Sequence, residues 1–126
     1  MYKFYNPNPK NILVEDCVVR ALSKVQGQSW DDTFTCLTMF AYEVKDMPSS
    51  SRAWSKYLDT YGYERFVIPN MCPNCYTVRD FCLDNPIGTF LLVTDKHVIA
   101  VVNGDYFDTW DSGDEIPMYY WRRRNY

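Results

Sequence analysis

The stretch HVIAVVNGDYFDTW, residues 97–110, constrains the fold more than any other part of this chain. Two alternating runs rich in β-branched and aromatic residues flank Asn103-Gly104, the strongest short-range hairpin signal a sequence carries. A two-residue turn pairs Val102 with Asp105, Val101 with Tyr106, Ala100 with Phe107, Ile99 with Asp108 and His97 with Trp110. Side chains two apart share a face of the sheet, so His97, Ile99, Val101, Tyr106, Asp108 and Trp110 are expected on one side. Asp108 is then diagonal to His97, the one histidine of the chain, and within reach of its ring. Asp111 falls on the opposite face unless a bulge turns it inward, which makes it the alternative acid.

The rest of the chain reads as helices followed by strands. Asp16 is expected to cap a largely buried helix, CVVRALSKVQ, that stops at Gly27. Ser29 with Asp32 opens a second helix running to about Lys45. A third covers roughly Ser51 to Thr60, and Thr77 with Asp80 caps a short one, VRDFCLD. Strands are expected at ERFVIP (64–69), TFLLVT (89–94), the two arms of the hairpin and IPMYYW (116–121). Residues 1–11 read as extended and NMCPNCY (70–76) as a loop. Helices first and an antiparallel sheet last make an α+β layout. The 126 residues suit one domain, 1–126.

Composition narrows the function classes. Hydrophobic residues make up 47%, enough for a packed core, and the net charge of −3 offers no basic surface for nucleic acid. Arg122-Arg123-Arg124 is expected to be a solvated tail. No apolar run approaches the ~18 residues of a membrane span, and MYKFYNPNPKN has no signal-peptide core, so a cytoplasmic protein with no membrane partner is expected. Thiols stay reduced there, which leaves each of the five cysteines as core filler, metal ligand or nucleophile. Cys36 and Cys82 fall on apolar helix faces. Cys72 and Cys75 make one knuckle, half of a four-ligand zinc site, and no second knuckle exists; a plain loop or loop-stapling role is expected, with a partial or intermolecular zinc site and a redox pair as the alternatives, and no metal or other cofactor is expected. Cys17 sits at a helix N-terminus, where unpaired amides and the dipole favour a thiolate. Arg20, on so apolar a helix, needs a partner such as Glu43 or Asp46. Trp30, Trp54 and Trp110 read as core anchors, Trp110 also as a shield over His97 and Asp108. The Tyr119-Tyr120-Trp121 cluster packs under the sheet or lines a peptide groove.

A cysteine at a helix N-terminus, then a histidine starting a strand, then an acid on the next strand with Trp two residues on, resembles the papain-like cysteine peptidases. EDCVVRALS and YFDTWDSGDE are similar to segments of small papain-like proteins of phages and bacteria, and the likeness runs from Asn11 to Trp121. It implies a papain-like fold in which the cysteine helix packs against the sheet. It also implies a Cys17-His97-Asp108 triad that hydrolyses peptide or isopeptide bonds in a protein or peptide substrate. Asn11, six positions before Cys17, matches the residue that helps form the oxyanion hole. Asp stands where Asn is commoner, as in transglutaminase-like folds and arylamine acetyltransferases. Acyl transfer on the same triad is therefore one alternative. The other is a non-enzymatic binding protein on the same fold.

Overall fold

The computed structural model describes residues 1–69 and 72–124. Within them the order is β1 (Tyr2–Phe4), α1 (Cys17–Gln26), α2 (Trp30–Val44), α3 (Ser51–Thr60), β2 (Tyr63–Val67), α4 (Val78–Asp84), β3 (Thr89–Val93), β4 (Val98–Val102), β5 (Asp105–Asp108) and β6 (Tyr119–Arg123). The fold is α+β, with four helices and a six-stranded sheet among the described residues.

Local chemistry explains most of the boundaries. Gly27 takes a left-handed conformation at φ 64° and its N–H closes α1. The Ser29 hydroxyl accepts from the Asp32 N–H at the start of α2, and Thr77 and Asp80 form a reciprocal capping box on α4. Asn103 and Gly104 both have positive φ, as the tight hairpin turn requires.

The strand order is β1-β5-β4-β3-β6-β2. All neighbours are antiparallel except β1, which runs parallel to β5, so the sheet is mixed rather than antiparallel throughout. The extended N-terminus is an edge strand. β6 starts three residues later than expected, because Pro117 has no N–H for a ladder. The residues before it serve α4 instead: the carbonyls of Glu115 and Gly113 accept from the Val78 and Arg79 amides at the helix start. Arg122 and Arg123 belong to β6, not to a solvated tail, and lie over the rings of Phe66 and Tyr63.

Both faces of the sheet are covered. Leu91, Val93, Val98, Ala100 and Trp121 point to one side, against Leu22, Leu37, Trp54 and Leu58 of α1–α3. Phe90, Leu92, Ile99, Val101 and Tyr106 point to the other, against Val78, Phe81 and Cys82 of α4. The loop expected at 70–76 includes Asn70 and Met71, which lie outside the described residues. Cys72 and Cys75 within it form a disulfide, so the expectation that every thiol is reduced does not hold for this pair. No helix among the described residues is long and apolar enough to cross a membrane.

Candidate active site

A cleft of about 1350 Å³ opens where the N-terminus of α1 meets the ends of the central strands. Its walls include Cys17 and Arg20 of α1, Trp30 and Phe34 of α2, Trp54 of α3, and His97, Trp110 and Tyr119 from the sheet side. Phe34 stacks on Trp30 and is 40% exposed in this cleft.

The hairpin register is as expected for Val102–Asp105, Val101–Tyr106 and Ala100–Phe107, and the β4–β5 ladder ends there. Beyond it β5 turns its hydrogen bonds outward: the Asp108 carbonyl accepts from the Tyr5 N–H at 2.9 Å, alongside β1. His97 precedes β4, its own carbonyl accepting from Thr94 across the Asp95-Lys96 turn. His97 and Asp108 do meet, with Nε2 to Oδ2 at 2.5 Å. They do not share one continuous face with Ile99, Val101 and Tyr106, which pack toward α4. Past the end of the ladder the pair faces α1.

There Cys17 lies in the same cleft wall as His97 and Val98, near enough for the imidazole and the Val98 amide to act on its thiol. Burial alone would raise the Cys17 pKa; the contact with His97, the Val98 amide and the charges of His97 and Arg20 outweigh it and hold the thiol below its ordinary value. Burial would likewise lower the His97 pKa, yet the Asp108 and Cys17 contacts push it up to about 9. Asp108 is held below the usual carboxylate range: burial opposes ionisation, and the His97, Ser112 and Thr109 hydrogen bonds overcome it. Each of the three shifts favours the charged form of its group: thiolate for Cys17, imidazolium for His97 and carboxylate for Asp108. Trp110 tilts over the imidazole, ring centroids 5.2 Å apart, with one face left to the cleft.

Asp108 is 1% exposed and every lone-pair direction is used. Oδ1 accepts from Arg20 Nη2 at 2.9 Å and from the Thr109 N–H at 2.8 Å. Oδ2 accepts from His97 and from the Ser112 hydroxyl at 2.7 Å. Arg20 therefore pairs with Asp108 and Asp16, not with Glu43 or Asp46; Asp46 bonds Ser50 and the Met47 amide. Asp16 stands at the N-cap position of α1 but makes no side-chain cap. Its carboxylate goes to Arg20 Nη1 at 2.6 Å and to the Trp30 indole N–H at 2.8 Å. The first-turn amides of α1 are left without a side-chain acceptor.

Two residues singled out from the sequence are not brought to this centre. Asn11 is exposed, with a left-handed backbone at φ 55°, and is not among the cleft walls. The cause is local: Asn8 accepts the Lys10 amide on its side chain and the Asn11 amide on its carbonyl, and this turn carries Asn11 outward. Asp111 is engaged by the Tyr106 hydroxyl, Arg79 and the Gly113 N–H. Gly113 lies so close to Tyr106 and Arg79 that a Cβ would collide with both, which ties down the loop carrying Ser112.

Sequence reasoning missed Ser112, and it missed the roles of Arg20, Asp16 and Trp30. A lone charge on an apolar helix did mark Arg20 as paired, but nothing local names a partner 88 residues away. The chain matches no protein-family model, no curated protein and no solved structure.

Proposed function

We propose that this protein is a papain-like thiol hydrolase that cleaves peptide or isopeptide bonds through Cys17, His97 and Asp108. The observation that carries the reading is that Cys17, at the N-terminus of α1, and His97, hydrogen-bonded to the buried Asp108, line one cleft and act on each other's charge. With Nε2 given to Asp108, Nδ1 is the ring nitrogen left for the thiol. The thiolate attacks the scissile carbonyl and a C–S bond forms. The imidazolium passes its proton to the leaving amine as the C–N bond breaks. Neutral His97 then takes a proton from water, the hydroxide attacks the thioester, and the thiolate leaves. The developing oxyanion is served by the uncapped amide of Cys17 and its neighbours on the first turn of α1, without a side-chain donor from Asn11. Asp108 fixes the imidazole tautomer and stabilises its charge. The proposal includes a cytoplasmic setting in which the Cys17 thiol stays free while Cys72 and Cys75 are joined.

Alkylation by iodoacetamide, followed by peptide mapping, tests the reading without a known substrate. Cys17 is expected to label rapidly at pH 6, where an ordinary thiol of pKa about 8.5 is almost wholly protonated. Burial pushes Cys82 up to about 11, so it should stay silent. His97→Gln should abolish the rapid labelling, and a peptidyl epoxide should modify Cys17 alone. A Cys17 that reacts only above pH ~8.5 would sink the proposal.

A further inference from the structure

The centre contains a buried cation that the proposed chemistry does not use. Arg20 is 5% exposed and lies between two carboxylates that are 8% and 1% exposed, Asp16 and Asp108. A buried guanidinium is costly unless both ends of its fork are satisfied. Here Nη1 and Nη2 each take a different carboxylate, at 2.6 and 2.9 Å. The two acids belong to the two halves of the site. Asp108 is the His97 partner at the end of β5, and Asp16 is the residue from which α1 departs.

The Asp16 placement is unusual for its type. Aspartate ahead of a helix ordinarily turns its carboxylate onto the amides of the first turn, which satisfies them and favours the helix dipole. Asp16 stands at that position with φ −116° and ψ 27°, away from the extended backbone of the capping Ser29 and Thr77, and its Oδ1 goes to Arg20 and its Oδ2 to Trp30. A capping carboxylate here would put a negative charge beside the Cys17 sulfur and occupy the amides that an oxyanion needs.

We infer that Arg20 is a positioning residue for both halves of the site: its guanidinium aims Asp108 at His97 and holds the Asp16 carboxylate off the N-terminus of α1. The inference rests on the Cys17–His97 reading and adds what keeps that pair usable. The charges that act on the Cys17 thiol include His97 from the sheet and Arg20 from its own helix, and Arg20 also fixes the carboxylate of Asp16, the residue just before Cys17; Glu15, Asp95 and Lys96 line the same cleft. Lysine cannot replace it, because a single ammonium on a flexible stem lacks the planar fork that spans two acids.

Two readouts on the full chain test this. His97 is the one histidine, so its ring nitrogens give a single, unambiguous NMR signature of charge and tautomer. Iodoacetamide labelling of Cys17 against pH reports the thiolate. Arg20→Gln should release Asp16 to cap α1, lower Cys17 labelling at pH 6 by about tenfold or more, and broaden or shift the His97 signals. Adding Asp16→Asn removes the released carboxylate. The double variant should regain much of the labelling while the His97 signals stay perturbed, since Asp108 still lacks its clamp. Arg20→Lys, which keeps the charge, covers the case in which Arg20→Gln fails to fold; it should lose labelling and disturb His97 while retaining its circular dichroism. A folded Arg20→Lys or Arg20→Gln with wild-type labelling and wild-type His97 signals overturns the inference and leaves the Cys17–His97 pair standing. A wild-type protein with a neutral His97 and an ordinary Cys17 at pH 7 overturns both.

Discussion

Asp108 and Asp111 sit three residues apart, and each meets an arginine and a hydroxyl. Asp108 has Arg20 and Ser112; Asp111 has Arg79 and Tyr106. The partner types match, but the solvent does not. The Asp108 side chain is 1% exposed and that of Asp111 is 48% exposed. Charges in a water-poor interior act on one another strongly, whereas exposed pairs are screened and contribute little. The contrast shows why a carboxylate of ordinary chemistry can govern an imidazole in one place and merely fasten a loop in the other. Burial, and the donors that make burial tolerable, set the difference.

The largest expected effect comes from breaking the buried side. Asp108→Ala leaves Arg20 and His97 without their acceptor, and removing one partner of a buried pair costs about 3–5 kcal/mol. Urea denaturation should show that loss, and Cys17 labelling at pH 6 should fall by about two orders of magnitude or more. Asparagine at 108 is not the mild replacement that the resemblance to papain-like enzymes implies. Both oxygens of Asp108 accept two donors each, so an amide NH₂ in either position faces donors it cannot accept. Asp108→Asn should therefore approach the alanine variant in labelling rate.

The next effect is in pH dependence. The His97 pKa of about 9 lies above its unfolded value of 6.5, so its contribution to stability is full below pH 6.5 and is lost as pH rises through 9. The Cys17 pKa is lowered, so its contribution grows as pH rises toward the unfolded thiol value and opposes the His97 slope. The two slopes have opposite sign in the wild-type protein, so the Cys17 contribution offsets part of the His97 loss. Cys17→Ala removes the Cys17 share of the upward His97 shift and leaves that of Asp108, so stability should fall as pH rises above 6.5, over a window that closes earlier than in wild type. A flat profile in Cys17→Ala would show that Asp108 does not hold the imidazolium.

A smaller change is expected from Ser112→Ala. It removes one hydrogen bond to an ionised acceptor, worth about 1.5–3 kcal/mol, and leaves three donors on Asp108. Thermal unfolding should register it, and labelling should slow by less than in Asp108→Ala. Asp111→Asn is expected to have the smallest effect. Its exposed pair with Arg79 should leave Cys17 labelling within about twofold of wild type, and added salt should mimic the substitution. If Asp111→Asn slowed labelling while Asp108→Ala did not, the comparison would be reversed.

What the sequence by itself determined was local. The Asn103-Gly104 turn, the caps at Ser29, Thr77 and Gly27, and the hairpin register each depend on residues within a few positions of one another. Those short-range rules place Cys17 at a helix start and name Asp108 as the partner of His97, but the two meet past the end of the ladder and toward α1, not on the hairpin face that the register implies. The tertiary structure decided what crosses the chain. It docked β1 alongside β5, put α4 on the far side of the sheet, and brought Arg20 to Asp108 and Ser112 beneath it. It also overrode a local rule at Asp16, whose carboxylate left its own helix for a buried guanidinium. The physical reason is the same throughout. A cap or a turn is chosen among neighbours already held together by the backbone, whereas a buried charge takes whichever partner the packed core brings within reach, and in the core an unpaired charge costs more than an uncapped helix.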